Sequence, residues 1–183
     1  MFIIEDGLLK DVDYHPSPNC DQRPTTAKIN LLVIHNISLP PADFSSDAVI
    51  EFFCNRLDYD AHPYFDTIKD LRVSAHLFIR RTGHIIQFVP FEQRAWHAGE
   101  SSFEDQTRCN DFSIGVELEG IDNLSYTTLQ YQKLVKVTRC LMHCYRGITP
   151  ERIVGHSDIA PARKTDPGPS FDWSYYRGLL TRE

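Results

Sequence analysis

The hydrophobic positions of this chain change their spacing along its length, and these changes predict both strands and helices. Residues 31–34 form a continuous apolar run of branched side chains that ends in a polar loop with Pro40 and Pro41, which predicts a buried strand. Residues 113–119 alternate apolar and polar side chains. A period of two predicts a second strand that packs one face on the core and carries carboxylates on the other.

Two further strand-like runs lie between these strands, at residues 72–81 and 84–89. They are separated by Thr82 and Gly83. A two-residue connection that ends in glycine favours a tight hairpin, because glycine adopts a positive φ at no steric cost. The sequence therefore predicts an antiparallel hairpin.

Apolar residues recur at three- and four-residue steps over 127–146, and Gly147 follows as a stop signal, which predicts a long amphipathic helix. A shorter helix is predicted over 47–57, and a last one after Asp172 as N-cap. Strands and helices in this order predict an α/β fold with a single central sheet flanked by helices.

Composition limits the class of protein. The 183 residues contain no linker, repeat or low-complexity run, so one domain over 1–183 is expected. The net charge is −6 and no Lys/Arg cluster is present, which argues against nucleic acid and anionic membranes as partners. The first residues contain acids where a signal peptide needs bases, and no apolar stretch reaches the roughly 20 residues of a spanning helix. A cytoplasmic location is therefore expected.

Cysteine usage agrees with that location. The five cysteines are odd in number and scattered, which is typical of reduced thiols rather than of a disulfide framework. Cys140 and Cys144, with His143 between them, are spaced like a helical metal-binding pair. We interpret them as buried small hydrophobes, because no further ligands accompany them.

Three residues far apart in the sequence have the chemistry of a catalytic metal site. His35 follows the apolar run 31–34, His156 lies in Gly-His-Ser-Asp, and Asp166 lies in Lys-Thr-Asp-Pro-Gly-Pro. Two imidazoles and one carboxylate are a three-ligand zinc set that leaves a fourth position open, whereas structural zinc sites usually close with four ligands. The sequence therefore predicts one Zn²⁺ ion and hydrolytic chemistry.

Amide hydrolysis also needs a proton acceptor and a group that stabilises the oxyanion. Glu117 is a candidate for the first role and Lys164 for the second, since burial can raise the pKa of a carboxyl group and a cation stabilises developing negative charge. Glu119 shares the polar face of Glu117, so the pattern alone leaves the choice open. His76 and His97 are expected to pack or to hydrogen-bond near the site rather than to bind metal.

Several segments together resemble a known family. In order along the chain, these segments are Leu-Val-Ile-His-Asn-Ile-Ser-Leu-Pro at 32–40, Arg-Val-Ser-Ala-His at 72–76, Arg-Ala-Trp-His-Ala-Gly at 94–99, Cys-Asn-Asp-Phe-Ser-Ile-Gly at 109–115 and Lys-Thr-Asp-Pro-Gly-Pro at 164–169. They are similar to the cytoplasmic anhydro-N-acetylmuramyl-L-alanine amidases of the zinc amidase and peptidoglycan recognition protein superfamily. The resemblance extends from about His15 to about Trp173.

This resemblance implies the zinc amidase fold, which phage lysozyme-type amidases and peptidoglycan recognition proteins share: a mixed central sheet with helices around it and zinc in an open groove. By motif, His35, His156 and Asp166 correspond to the metal ligands. Glu117 corresponds to the catalytic acid or base, which selects it over Glu119, and Lys164 to the oxyanion-stabilising cation.

The implied reaction cleaves the amide between the lactyl group of anhydro-muramic acid and L-alanine of the stem peptide in cytoplasmic muropeptides. It belongs to cell-wall recycling and lowers the fragments that induce β-lactamase. Asn36, Arg72 and Arg108 match positions that hold the peptide and its carboxylates, and Trp96 matches one that stacks on the sugar. The expected partner is a small-molecule muropeptide, bound by a monomer.

Two other functions remain open at this stage. A non-catalytic module that binds peptidoglycan fragments has the same fold, but the chain keeps all three ligand residues, the acid and the lysine. A secreted amidase that acts on wall polymer has the same chemistry, but we expect no export signal at the N-terminus.

Overall fold

A six-stranded mixed sheet forms the centre of the structure. The structure is a computed structural model and describes residues 2–181. The strands are β1 (Ile4–Glu5), β2 (Leu8–Leu9), β3 (Asp13–Tyr14), β4 (Cys20–Gln22), β5 (Leu31–Ile37), β6 (Leu77–Ile79), β7 (Ile85–Gln87), β8 (Gln93–Ala95), β9 (Ser102–Phe103), β10 (Gln106–Thr107), β11 (Ser113–Glu119) and β12 (Ile153–Gly155). The α-helices are α1 (Ala48–Phe53), α2 (Thr128–Cys144), α3 (His156–Ile159) and α4 (Trp173–Thr181). Short 3-10 helices span Tyr59–Ala61, Pro63–Ile68, Cys109–Asp111 and Pro150–Arg152.

The strand order in the sheet is β12-β5-β11-β6-β7-β3. Strands β12, β5, β11 and β6 are parallel, β7 is antiparallel to β6, and β3 is parallel to β7. The prediction of an α/β fold with one mixed central sheet flanked by helices is confirmed. Because β12, β5 and β11 are parallel neighbours, their carboxyl ends meet at one edge of the sheet.

Strand β11 is buried along its whole length, and β5 is buried from Leu31 to His35 and half-buried at Asn36 and Ile37. The predicted strand at 31–34 continues to Ile37, and the strand at 113–119 lies between β5 and β6. As predicted, one face of this second strand is apolar and the other carries Glu117 and Glu119, and all seven residues of the strand are buried. The period of two in β11 separates an apolar face from a polar face, and His97 packs on the polar face at Gly115.

The predicted hairpin is present, but its strands and its turn differ from the prediction. Only Leu77–Ile79 and Ile85–Gln87 pair as strands. Arg80 donates its N–H to the carbonyl of His84 at 2.8 Å, so three residues, 81–83, form the turn instead of two. Gly83 adopts a φ of +80°, which completes a three-residue hairpin loop with glycine in the left-handed position.

The predicted helices form with shifted ends. Helix α2 begins after Thr127, whose hydroxyl accepts the N–H of Gln130 in a capping box. Helix α1 is shorter than the predicted 47–57, because Cys54 caps it after six residues. Helix α4 begins after Asp172, whose carboxylate accepts the N–H of Tyr175 at 2.8 Å, as the N-cap prediction requires.

The helices and loops cover the sheet on opposite faces. Helices α2 and α4 pack against one face through Leu134, Leu141 and Tyr176, which are fully buried against the apolar side chains of β5, β6 and β11. Helix α1 and the 3-10 helix Pro63–Ile68 form a second apolar cluster with β6 and β7. Within residues 2–181, no helix is long and apolar enough to cross a membrane.

Candidate active site

The register of three parallel strands brings three polar residues to the same level of the sheet. Glu117 in β11 pairs with His35 in β5, and Gly155 in β12 pairs with Ile34 in β5. His156 follows Gly155 directly and begins α3. The two histidines and the glutamate therefore lie side by side at the carboxyl edge of the sheet, the edge at which α/β folds usually bind ligands.

Asp166 reaches this edge on a loop that several hydrogen bonds hold in place. Its carbonyl accepts the N–H of Ser157 at 2.9 Å, and the carbonyl of Pro167 accepts the hydroxyl of Tyr126 at 2.7 Å. A Cβ atom on Gly155 would lie only 2.7 Å from Cδ of Pro167. The glycine at the end of β12 thus lets the loop approach the strand closely enough for Asp166 to face the histidines.

Three donor atoms of His35, His156 and Asp166 form a nearly equilateral triangle. The two Nδ1 atoms are 3.0 Å apart, and Oδ2 of Asp166 lies 3.0 Å from Nδ1 of His35 and 3.1 Å from Nδ1 of His156. Among residues 2–181, this is the set of His, Cys, Asp and Glu side chains whose donor atoms are arranged to hold a metal ion.

The triangle has the size and chemistry that zinc requires. Tetrahedral zinc with bonds of about 2.0–2.1 Å places its ligand atoms roughly 3.3–3.4 Å apart, only slightly farther than the donor atoms here. Two imidazole nitrogens and a carboxylate oxygen are ordinary zinc ligands. The donor set therefore fits a zinc ion with a fourth position left for solvent or substrate.

The environment shifts the pKa values of two of the donor residues, His35 and Asp166, in the direction that favours metal binding. Burial lowers the pKa of His35 to about 4, so its ring is neutral near pH 7. Burial alone would raise the pKa of Asp166, but hydrogen bonds to His156 and His35 and their charges lower it well below its usual range. Asp166 is thus a carboxylate over the physiological range.

Glu117 is a buried acid beside this triangle. Burial raises its pKa well above the usual range, and the charge of Asp166 raises it further, while Lys164 lowers it. One of its oxygens, Oε2, is buried without a hydrogen-bond partner among residues 2–181. A buried and unsatisfied carboxyl oxygen is costly, so this atom is available to a group that enters the site.

A cavity of about 570 Å³ opens in front of these residues. Its polar lining residues include Glu117, His156, Lys164 and Asp166. Its apolar lining includes Leu39, Pro41, Phe52, Tyr64, Ile68, Leu71 and Val73. Such a cavity can hold a ligand whose polar bond faces the donor atoms while its apolar parts are buried.

The structure places the four predicted substrate-binding residues differently. Asn36 lines the cavity, where its amide nitrogen donates to Asp122 at 2.8 Å and to the carbonyl of Pro167 at 3.1 Å. The other three are not among the residues that line it. Arg72 is exposed, next to the lining residue Leu71.

Trp96, which directly precedes His97 in the chain, and Arg108 are not among the residues that line the cavity. Trp96 is half-buried, and its backbone N–H donates to the carbonyl of Asn19 at 3.3 Å. The side chain of Arg108 is 69% exposed and lies 3.3 Å from Asp111, at a separate pocket of about 500 Å³. The predicted contacts of Trp96 and Arg108 with substrate therefore require a substrate that extends beyond the cavity.

His97 lies beside the site, as predicted, and it contacts a proposed metal ligand directly. Nδ1 of His97 lies 2.9 Å from Nε2 of His35, so His97 hydrogen-bonds to a proposed ligand instead of joining the triangle. Asn110, three residues before the start of β11, accepts the backbone N–H groups of His97 and Ala98. Its only sequence signal was its place in the Cys-Asn-Asp-Phe motif.

Comparison with known proteins agrees with this fold and this site. The family model for N-acetylmuramoyl-L-alanine amidase matches residues 25–169. The chain belongs to the N-acetylmuramoyl-L-alanine amidase family, and it is an enzyme of that class.

Within the family, the chain is similar to AmpD proteins over nearly its full length. It is 52% identical to the 1,6-anhydro-N-acetylmuramyl-L-alanine amidase AmpD of Escherichia coli K12, over 99% of this chain and 98% of that protein. A crystal structure of an AmpD derivative superposes with a TM-score of 0.95 at 52% identity and covers 98% of this chain and 99% of its own. AmiD from Escherichia coli, solved with anhydro-N-acetylmuramic acid-L-Ala-D-gamma-Glu-L-Lys, has a TM-score of 0.61 at 30% identity, over 97% of this chain and 65% of AmiD.

Proposed function

We propose that this chain hydrolyses the amide bond between anhydro-N-acetylmuramic acid and L-alanine in muropeptides, with a zinc ion as cofactor. The triangle of donor atoms from His35, His156 and Asp166 is the single observation that carries this proposal. The substrate class is supported by the similarity to AmpD and by the substrate that was solved in complex with AmiD.

The three donor residues would hold the ion through Nδ1 of each histidine and the carboxylate of Asp166. When bound, zinc supplies Lewis-acid chemistry: it polarises an oxygen ligand and makes water acidic enough to lose a proton near neutral pH. The low pKa of Asp166 and the neutral ring of His35 keep the protein ready to bind a cation without first releasing protons.

Glu117 would move the proton. Its buried carboxyl group can accept the proton of the attacking water and then donate it to the amine of the departing L-alanine. A raised pKa serves both halves of this cycle, because a strongly acidic carboxylic acid would hold the proton too weakly to be an effective base near pH 7. The unpaired Oε2 atom is available for this contact.

Lys164 would stabilise the negative charge that develops on the carbonyl oxygen of the scissile amide. It lies two residues before Asp166 and lines the same cavity as Glu117. A preorganised cation in a partly desolvated cavity lowers the energy of a transition state that carries more negative charge than the substrate does.

The remaining proposed contacts concern recognition. Asn36 would help to bind the peptide near the scissile bond, and Arg72, Trp96 and Arg108 would contact parts of the muropeptide that extend beyond the cavity. Arginine suits the carboxylates of a stem peptide because its guanidinium group binds them in a bidentate manner. We place the reaction in the cytoplasm, in the recycling of wall fragments, where it would also lower the fragments that induce β-lactamase.

A product assay tests this function. The purified enzyme is incubated with zinc and an anhydro-N-acetylmuramyl peptide, and the products are identified by mass spectrometry. We expect anhydro-N-acetylmuramic acid and an intact peptide with a free L-alanine amino group, and we expect a zinc chelator to stop their release. A protein that binds the muropeptide without cleaving it would instead be a recognition module, and turnover that survives complete metal removal would contradict the zinc mechanism.

A further inference from the structure

Two consecutive residues, His97 and Ala98, contact both histidines of the proposed metal site, and we call these two residues the bracket. Nδ1 of His97 lies 2.9 Å from Nε2 of His35. The carbonyl oxygen of Ala98 lies 3.0 Å from Nε2 of His156. The bracket thus meets each imidazole at the nitrogen opposite the one that faces the triangle of donor atoms.

The acceptor of His156 decides which nitrogen of that ring carries the proton, whereas the tautomer of His35 depends on whether His35 or His97 donates in their shared hydrogen bond. A carbonyl oxygen can only accept, so Nε2 of His156 must donate to Ala98, and in the neutral ring Nδ1 is left with its lone pair. If His35 donates from Nε2 to Nδ1 of His97, its Nδ1 also keeps a lone pair. Nε2 of His97 then carries a proton and donates to the hydroxyl of Ser113, 3.0 Å away.

Two side chains, those of Asn110 and Arg163, hold the bracket in place. Oδ1 of Asn110 accepts the backbone N–H of Ala98 at 2.8 Å and that of His97 at 3.2 Å. The guanidinium group of Arg163 donates to the carbonyl of Ala98 at 2.7 Å, on the same oxygen that meets His156. Asn110 therefore fixes both residues of the bracket at once, and Arg163 adds a second contact at one of them.

The centre of the sheet is shaped to admit the bracket. Gly115 lies in the middle of β11, and a Cβ atom there would approach Cγ of His97 to 2.5 Å. The imidazole of His97 rests directly on the strand backbone and is buried, with 8% of its surface exposed. A ring that is enclosed on this side has little freedom to rotate away from His35.

We infer that Asn110 and His97 are positioning residues for the metal centre: through the bracket, they orient both ligand histidines and fix the tautomer that leaves Nδ1 free to bind zinc. This inference rests on the proposed function, because it assumes that His35 and His156 bind zinc. Residues that orient metal ligands commonly contribute to metal affinity although they do not touch the ion.

Zinc affinity of Asn110 variants tests the inference. Asn110→Leu keeps the approximate size of the side chain but removes the acceptor, whereas Asn110→Asp keeps an acceptor oxygen in the same place. Gln87→Leu is the matched control, because Oε1 of Gln87 also accepts a backbone N–H, that of Leu9 at 2.7 Å, but on the side of the sheet away from the metal ligands. Zinc dissociation constants are measured by competition with a chelating dye, and circular dichroism of the zinc-free proteins checks their folding.

We expect Asn110→Leu to weaken zinc binding roughly 10- to 100-fold. Asn110→Asp should restore most of the affinity, and Gln87→Leu should bind zinc like the wild type even if it is less stable. A purely structural role of Asn110 would instead lower the stability of the zinc-free protein and leave the affinity unchanged. A folded Asn110→Leu variant with wild-type affinity would overturn the inference.

The tautomers provide a second measurement that needs no variant. Long-range proton–nitrogen NMR spectra of the zinc-loaded wild type report which nitrogen of each imidazole carries a proton. We expect a proton on Nε2 of His35, His97 and His156, and a proton on Nδ1 of His97 would contradict the inference even if Asn110→Leu does not fold. A wild-type protein that binds no zinc would refute the proposed function itself, so the two failures are distinct.

Discussion

Glu117 and Glu119 project from the same face of β11, yet their surroundings differ. Glu117 lines the cavity and has an unpaired oxygen among residues 2–181. Glu119 accepts the N–H of Arg81 at 2.8 Å, at the turn of the hairpin. The alternation of the strand could not distinguish the two residues, because it defines a face but not what lies opposite each position on it. The structure adds this information and supports Glu117 as the proton carrier.

Conservative variants of the two glutamates test this assignment. Glu117→Gln keeps the shape of the side chain but removes the proton acceptor, so we expect kcat to fall by about 10²- to 10⁴-fold while zinc stays bound. Glu119→Gln is the control and should keep kcat near the wild-type value. Steady-state kinetics and metal analysis on both variants provide the test, and a Glu117→Gln enzyme with nearly normal kcat would remove Glu117 from the mechanism.

At the residue scale, the sequence identified the metal-binding candidates but not the groups that support them. His35, His156 and Asp166 were recognisable because each combines a metal-binding side chain with a local signal, a strand end or a turn. Asn110 carries no such signal, since an asparagine that binds backbone N–H groups looks like any other loop asparagine. Its contacts depend on residues 12 and 13 positions away, which only the folded chain defines.

At the scale of elements, the hydrophobic periodicity predicted the long helix and the two long strands well. The turn residues predicted the bounds of the hairpin strands less well. Helix α2 and strands β5 and β11 formed where their apolar patterns placed them. The strand predicted over 72–81 pairs only at Leu77–Ile79, because the residues before it bond to other partners: the N–H of Ser74 donates to Trp96 and the hydroxyl of Ser74 to Asn19. These long-range contacts leave no signal in the local pattern.

The middle of β11 offers a test at this scale. Gly115→Ala would place a Cβ atom 2.5 Å from Cγ of His97, so the ring or the strand must move. We expect a loss of about 1–3 kcal/mol in the free energy of unfolding, the usual cost of overpacking a core. We also expect weaker zinc binding, because His97 cannot move without releasing His35.

Gly178→Ala is the control for this substitution. Gly178 lies in α4, and among residues 2–181 no atom beyond its own stretch of helix would come within 4 Å of a Cβ added there. Alanine should therefore be neutral or should stabilise the helix by roughly 0.5–1 kcal/mol. Urea unfolding of the zinc-free proteins and zinc titration of both variants give the comparison. Equal stability and equal affinity for Gly115→Ala and the wild type would contradict the close packing of His97 on the strand.

At the scale of the whole molecule, the parallel sheet explains how distant residues form one site. His35 and Asp166 are 131 positions apart, yet their donor atoms lie 3.0 Å from each other. Parallel strands need crossover connections, so residues at their carboxyl ends are far apart in sequence and adjacent in space. The sequence predicted the class of fold, but the strand order and the apolar wall of the cavity depend on packing between elements and became visible only in the structure.

The stoichiometry of bound zinc tests the central claim most directly. Metal analysis is performed on the wild type, on Asp166→Ala and on Cys144→Ser, each after zinc loading and removal of free metal. We predict one zinc ion per chain in the wild type and in Cys144→Ser, and almost none in Asp166→Ala, which lacks one donor of the triangle. Full zinc occupancy in Asp166→Ala, or its loss in Cys144→Ser, would contradict the account.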